Sequence, residues 1–226
     1  LTDSAVQKVV EFAKDLDTQK VKKIKGIGPE GAESINGGLA IISAIYEILK
    51  LSSINVTIAN ALEGVVITNL VGSSNEKYSD LLQNSLDNYY EFKKEGLAIN
   101  SQVYDMAILL FKQLKVVHKL PRMYVKPLKI AAYMFDCGKF INFNNHQKHS
   151  FYTILNANIA GATQKEILLA AFACTCQNLD NFNLSEIMKY KEILTDEDVE
   201  AIRKLGVLVN LAVNLNASTK NIINDI

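Results

Sequence analysis

Hydrophobic residues recur at intervals of three and four along most of the chain, which predicts helices that each bury one face. The strongest apolar stripes run over residues 6–16, 41–49 and 103–117, and we expect the last two to be core. Residues 37–38 are predicted to open the second of these helices. Further helices are expected from residue 125 to about 136 and over 150–160, 164–176 and 196–215.

One segment differs from this pattern. Residues 54–58 alternate apolar and polar side chains and predict a β-strand. Seven of the 11 glycines lie within residues 1–72, which indicates a turn-rich first segment followed by a long helical one. The predicted fold is therefore mainly α, with helices plus one or two strands in residues 1–72 and a helical domain in residues 73–226.

Composition narrows the class of protein. Charged residues make up 21% of the chain and no apolar run is long enough to cross a bilayer, so we expect no membrane partner. No basic and apolar leader opens the chain, and the first residue is Leu1, which suggests processing or a fragment. An odd count of three cysteines favours a reducing compartment, and we expect a cytoplasmic protein.

Charge is balanced over the whole chain but not along it. Between residues 112 and 148 there are eight basic residues and one acid, Asp136. Between residues 180 and 200 there are seven acids and two lysines. A local basic excess attracts a polyanion even when the net charge is zero. The alternative is a set of solvated lysines on helix faces.

Three stretches carry a resemblance to a known family. They are Gly26 through Gly37-Gly38 to Glu63, then Ala131-Ala132-Tyr133-Met134-Phe135-Asp136-Cys137-Gly138, and finally His146-Gln147-Lys148-His149-Ser150 continuing to Glu166. Their order and spacing resemble the exopolyphosphatase/guanosine pentaphosphate phosphatase family over roughly residues 1–180. The second stretch is similar to the family's Ala-Ala-x-Leu-His-Asp-Ile-Gly.

The resemblance implies a fold and an activity. Such proteins join two actin-like ATPase (RNase H-like) domains to a C-terminal helical domain related to HD phosphohydrolases. They release terminal phosphate from polyphosphate or guanosine pentaphosphate, usually with magnesium. Residues 1–72 would then be the remnant of the second actin-like domain and residues 73–226 the HD-like domain, with the catalytic N-terminal domains missing from this chain.

Several positions depart from the family pattern. Phe135 stands where the His of the His-Asp pair is expected, an earlier His position falls near Ile99, and a later His-Arg pair falls near Cys176-Gln177. Because divalent metals in such centres need imidazole and carboxylate ligands, we expect no metal and no catalytic residue in this chain. Arginines expected at Gly31 and Leu62 are also missing, which weakens the prediction of phosphate binding.

The resemblance and the basic run together nominate substrate-binding residues. They are His146, Lys148, His149, Arg122, Lys126, Lys129, Gly37, Gly38 and Glu63. For His146 and His149 the alternative is helix capping or local hydrogen bonding. Asp136 would be either a residual acid of the old centre or a helix-end carboxylate paired with a lysine. The cysteines lack CxxC spacing and are expected to be small buried hydrophobes.

Three functions compete at this point. In the first, the chain guides substrate or regulates a phosphohydrolase, with polyphosphate or guanosine pentaphosphate as ligand and a homodimer as a further expectation. In the second, it is a catalytically silent polyanion-binding or scaffold protein. The third, an independent HD-type nucleotide phosphohydrolase, requires metal at Asp136 and His146. Nucleic acid is not an expected partner.

Overall fold

The computed structural model describes residues 3–14, 16–24, 27–54, 56, 60–71, 80–91, 97–176 and 183–217. The chain divides into two compact units, Leu1–Ser74 and Asn75–Ile226. Helices dominate the described residues of both units, which confirms the prediction of a mainly α protein. No described helix combines the length and the apolarity needed to cross a membrane.

The first unit contains four described helices, which are α1 (Asp3–Lys14), α2 (Thr18–Val21), α3 (Gly31–Leu49) and α4 (Ala61–Val71). Helices α1 and α2 pack against α3. Val21, Ala32 and Tyr46 are buried there. Helix α3 ends where Lys50 adopts a left-handed conformation with φ of 49°.

The apolar stripe of α3 does not form the core that the sequence predicted. Ile41, Ile45 and Ile48 are 64%, 40% and 78% exposed. Helix α3 also begins at Gly31, so the glycine pair 37–38 lies inside the helix and does not open it. An amphipathic pattern identifies the apolar face of a helix but not the element that covers it, and the described residues of this unit leave most of that face exposed.

The strand predicted over residues 54–58 lies largely outside the described residues. Ile54 and Val56 are described and are not part of a strand, while Ser53 forms an isolated bridge. The assignment of this unit to an actin-like domain stays a prediction.

The second unit is a helical bundle. Its described helices are α5 (Leu81–Glu91), α6 (Leu97–Gln113), α7 (Lys115–His118), α8 (Val125–Tyr133), α9 (His146–Asn156), α10 (Gln164–Thr175), α11 (Leu184–Ile187) and α12 (Asp196–Leu215). Short 3-10 turns occur at Arg122–Tyr124, Cys137–Phe140 and Met188–Tyr190. Helix α12 has the bounds that the periodicity predicted, because Thr195 caps it with its hydroxyl.

Helix α10 lies at the centre of this bundle and packs against α8, α9 and α12. Every residue from Ile167 to Cys174 is buried. A helix that is apolar all round is stable only when neighbours cover every side. Helix α10 therefore positions α8 and α9 relative to each other. Asp136 and His146 lie where these two helices meet.

Helix α6 ends earlier than expected. The helix stops at Gln113, and the predicted core position Val117 is 74% exposed. The buried His118 ring holds the turn that follows, because its Nε2 donates to the Phe111 carbonyl at 2.7 Å. Its Nδ1 accepts from the Leu120 amide at 2.8 Å. These two bonds redirect the chain before Pro121 is reached.

Candidate functional site

The turn after α8 places Asp136 at the junction of α8 and α9. The 3-10 turn Cys137–Phe140 follows at once, and its Gly138 lies directly against the backbone of the first turn of α9. The Gly138 amide donates to Ser150 Oγ at 2.9 Å, and Ser150 Oγ donates to the Phe135 carbonyl at 3.3 Å. A side chain at 138 would overlap the α9 backbone, so glycine is required for this close approach.

The Asp136 carboxylate contacts the side chains of Asn100 and Lys139. Asn100 Nδ2 lies 3.4 Å from Asp136 Oδ1 and donates a second, shorter bond of 2.8 Å to the Tyr133 carbonyl. Lys139 Nζ lies 3.7 Å from Asp136 Oδ2. Asp136 is thus a helix-end carboxylate beside a lysine, which is the simpler of the two interpretations that its sequence context allowed.

Asn100 was missed by the sequence reasoning, which placed the earlier His position near Ile99. Ile99 is 43% exposed, whereas Asn100 is fully buried. The sequence spacing could have identified Asn100, because it precedes Val103 by three residues and so shares the buried face of α6. A polar residue on an apolar helix face is a position that needs explanation.

The residues at this junction do not fit a divalent metal. Phe135 supplies no ligand, Asn100 supplies one amide oxygen, and Lys139 puts a positive charge beside the Asp136 carboxylate. Among the described residues, no group of three or more His, Cys, Asp or Glu side chains is placed to hold a metal ion. Such ions are usually held by three or four imidazole, thiolate or carboxylate ligands, and of these types the described part of the junction offers His146 and Asp136.

His146, Lys148 and His149 lie together in the first turn of α9. Asn145, in a left-handed conformation with φ of 55°, precedes the helix. Lys148 is exposed and the two histidines are partly buried. Burial lowers the pKa of His146, the Lys139 ammonium lowers it further, and the Asp136 carboxylate opposes both.

Arg122, Lys126 and Lys129 are spaced to share one side of α8 and the turn before it. Arg122 and Lys126 are exposed, and Lys126 Nζ donates to the Gly161 carbonyl at 3.2 Å. Lys129 differs, because its ammonium lies 3.1 Å from Asp80 Oδ2 and over the Tyr104 ring at 5.6 Å. Arg122 and Lys126 are therefore more accessible to a ligand than Lys129.

The remaining candidates belong to the first unit. Gly37 and Gly38 lie inside α3, and a side chain at either position would meet open space. Glu63 takes part in helix capping, since its amide donates to Asn60 Oδ1 at 2.9 Å and its carboxylate accepts from Asn60 Nδ2 at 2.9 Å. This reciprocal pair satisfies two polar groups at the start of α4.

The three cysteines are free and buried. Cys174 lies 3.5 Å from the Ala131 carbonyl, and burial raises the pKa of its thiol. Burial also raises the pKa of Cys176 to about 11. Buried thiols of this kind act as small hydrophobic side chains.

Comparison with known proteins defines the class to which this helical unit belongs. The family model "Ppx/GppA phosphatase, domain III" matches residues 94–225. That match covers α6 to α12, including Asp136 and the first turn of α9. The chain therefore belongs to the Ppx/GppA phosphatase family, as the resemblance predicted.

Three curated relatives share the name guanosine-5'-triphosphate,3'-diphosphate pyrophosphatase. Those of Aeromonas hydrophila subsp. hydrophila and Aeromonas salmonicida are each 27% identical to this chain over 201 residues, which is 87% of the chain and 39% of the relative. That of Pseudoalteromonas translucida is 26% identical over 135 residues, or 57% of the chain and 26% of the relative. The chain thus spans well under half the length of the curated relatives it matches.

Proposed function

We propose that this chain is the C-terminal part of a phosphohydrolase that releases terminal phosphate from guanosine pentaphosphate or polyphosphate, and that it guides the substrate. The family match over residues 94–225 carries the proposal. The names of the relatives favour guanosine pentaphosphate. The basic run over 112–148 favours a longer polyanion.

Two accessible basic groups support a role in holding an extended anion. One comprises Arg122 and Lys126, and the other is Lys148 in the first turn of α9 with His149 beside it. Lys126 reaches Gly161, beyond the C-terminal end of α9, whereas Lys148 lies at its start. A helix of this length measures roughly 16 Å, so one compact phosphate group is too small to contact both ends, whereas a chain of phosphates is long enough to do so.

In this proposal, substrate binding belongs to this chain and phosphoryl transfer to other domains. Magnesium, which the resemblance implies for the whole enzyme, would neutralise charge on the transferred phosphate. The residues of this chain contribute exposed cations that bind and orient the substrate by electrostatic attraction. We assign phosphoryl transfer to other domains of the whole protein, and hydrolysis by this chain alone is not expected.

Other parts of this proposal concern partners and location. The exposed apolar face of α3, which includes Ile41, Ile45 and Ile48, would pack against those other domains. We place the protein in the cytoplasm, because its three cysteines are free thiols and reducing compartments keep them so. A homodimer remains a prediction.

Polyphosphate titration tests the proposal. The double variant R122A/K126A and the single variant K148A are expected to bind long-chain polyphosphate several-fold more weakly, with a smaller salt dependence, because each removes accessible charge. The matched control is Lys189→Ala, whose ammonium is paired with Glu186 at 3.2 Å. Equal affinity in all variants would contradict the proposal.

A catalytically silent polyanion-binding or scaffold protein is the second candidate. The observations that favour it are the departures from the family pattern, which are Phe135 in place of the expected His and Gly31 and Leu62 in place of the expected arginines. Phosphate release from either substrate by the whole protein decides between the two, since a silent member releases none. The Asp136 junction counts against an independent HD-type nucleotide phosphohydrolase, which needs metal at Asp136 and His146.

A further inference from the structure

Three buried polar atoms of the second unit have no hydrogen-bond partner within the described part of the chain. They are Tyr90 Oη, Asn100 Oδ1 and His146 Nδ1. Tyr90 is 2% exposed and Asn100 is fully buried. Buried polar groups in folded proteins are almost always hydrogen-bonded, so these three atoms require a partner that the described residues do not supply.

The orientation of the Asn100 amide is determined by its neighbours. Its Nδ2 faces two oxygens, the Tyr133 carbonyl at 2.8 Å and Asp136 Oδ1 at 3.4 Å. Exchanging the two ends of the amide would set oxygen against oxygen, which removes both bonds. Asn100 Oδ1 is therefore the end that lacks a donor.

The other two atoms flank the turn that follows Asp136. The Tyr90 ring packs against Phe140, the last residue of that turn, with centroids 6.5 Å apart. The His146 carbonyl lies against Gly138, in the middle of the same turn. Burial raises the pKa of Tyr90, and the nearby Cys137 and Asp136 raise it further. The Asp136 carboxylate also acts on the pKa of His146, so both rings lie within electrostatic range of the same acid.

The chemistry of these atoms defines the ligand. Asn100 Oδ1 and the Asp136 carboxylate accept hydrogen bonds, while Tyr90 Oη and His146 Nδ1 can each donate or accept. The ligand must therefore be a small molecule with at least two O–H or N–H groups. A divalent cation is disfavoured because Lys139 already lies 3.7 Å from the carboxylate, and like charges repel strongly in a partly buried site.

We propose that an ordered water is bound beside Asp136 and bridges Asn100 Oδ1 to Tyr90 Oη and His146 Nδ1. Water has the required two donors, and buried waters typically make about three hydrogen bonds to polar groups of this kind. Such a water ties α5, α6 and α9 to the turn after α8. This inference does not rest on the proposed substrate and holds whether or not the protein binds polyphosphate.

Removal of one hydroxyl tests the proposal in the 226-residue chain. Tyr90→Phe is expected to lower the melting temperature by about 2–4 °C, because it removes a hydrogen bond to the water. The first control is Tyr124→Phe, which removes a hydroxyl bonded to Asp198 at 3.0 Å and should show a similar fall. The second is Tyr152→Phe, whose residue is 66% exposed and which should show none.

An unchanged or higher melting temperature for Tyr90→Phe would overturn the proposal, since it would mean that the hydroxyl has no partner. A crystal structure of the unaltered chain gives a second measurement that does not depend on a variant. A water peak within about 3.2 Å of Asn100 Oδ1 and Tyr90 Oη is expected. Absence of density there, or a peak with the anomalous signal of a transition metal, would also overturn it.

Discussion

The Lys165 ammonium donates to the Asp198 carboxylate across 2.6 Å and so joins the first turn of α10 to the first turn of α12. The Asp198 side chain is 1% exposed and that of Lys165 is 34% exposed. The same carboxylate accepts from the Tyr124 hydroxyl at 3.0 Å and the Thr195 amide at 2.8 Å. One buried acid thus holds three segments of the bundle together.

Loss of this charge is expected to destabilise the second unit. Asp198→Asn replaces the carboxylate with an amide and leaves the partly buried Lys165 without its counter-charge. Breaking a buried ion pair in this way costs roughly 2–4 kcal/mol of unfolding free energy, lowered from the fully buried case because Lys165 is partly exposed. Urea unfolding at pH 7 measures the loss, and Lys189→Ala is the exposed control. A change below about 0.5 kcal/mol would show that the pair is not stabilising.

The same acid predicts a dependence on pH. Burial raises the pKa of Asp198, but its bonds to Lys165, Thr195 and Tyr124 outweigh burial, and the pKa lies below its usual value. A lowered pKa in the folded state gives stability that is present above the unfolded pKa of about 3.9 and is lost below it. The difference in stability between the wild-type chain and Asp198→Asn should therefore shrink as the pH falls below about 4. A constant difference would contradict this assignment.

Substitution by alanine is expected to destabilise the protein at Gly206 but not at Gly38. A side chain on Gly206 would come within 2.7 Å of Cys176 Cβ and 2.9 Å of the Cys176 backbone. Gly206→Ala should therefore lose about 1–3 kcal/mol of unfolding free energy, because α10 and α12 must move apart. Gly38→Ala is the control, since nothing lies within 4 Å of that position and alanine favours a helix interior.

Gly38→Ala should leave stability unchanged or raise it by up to about 1 kcal/mol. Circular dichroism during urea unfolding compares the two variants. Equal losses would mean that the approach of α10 to α12 is looser than the structure shows. Weaker polyphosphate binding by Gly38→Ala, with stability intact, would instead support the predicted role of Gly38 in substrate binding.

His146 is expected to be neutral at pH 7. Burial lowers its pKa below 6.5, and Lys139 lowers it further. An NMR titration of the ring should give a midpoint below 6.5, Lys139→Met should raise that midpoint, and Asp136→Asn should lower it. A midpoint that does not move in either variant would contradict the arrangement of charges at this junction. Because the folded state binds this proton more weakly than the unfolded state, protonation of His146 opposes folding at low pH.

The ion pair between Lys129 and Asp80 predicts that a substitution at Asp80 strengthens polyphosphate binding. Asp80→Asn breaks the ion pair with Lys129 but keeps an oxygen that can cap α5, as Asp80 Oδ1 does for the Gln83 amide at 2.9 Å. Released Lys129 should strengthen polyphosphate binding by about twofold to fivefold, the scale of an exposed ion pair. Glu91→Gln makes the same charge change elsewhere and should have a smaller effect. Equal gains would attribute the effect to net charge alone.

Local sequence determined the class of fold and much of its helical order. Periodicity predicted the helices around residues 125, 164 and 196, because amphipathic spacing and capping residues act over one or two turns. Short sequence motifs carried the family resemblance. Two of them meet in the structure, where Gly138 lies against the residues from His146 to Ser150. The nine candidate binding residues were chosen on residue type and spacing, and their role stays a prediction.

Tertiary structure decided which apolar side chains are buried and which charged side chains are paired. Ile41 and Val117 have core-like spacing but are exposed, since burial depends on what packs against them. Lys129 and Lys126 are equally basic in sequence, yet Asp80 pairs with the first across 49 positions of the chain. Asn100 meets Asp136 only through the packing of α6 on α8. Sequence specifies helices and charges through short-range interactions, whereas partners distant along the chain are set by how the helices pack.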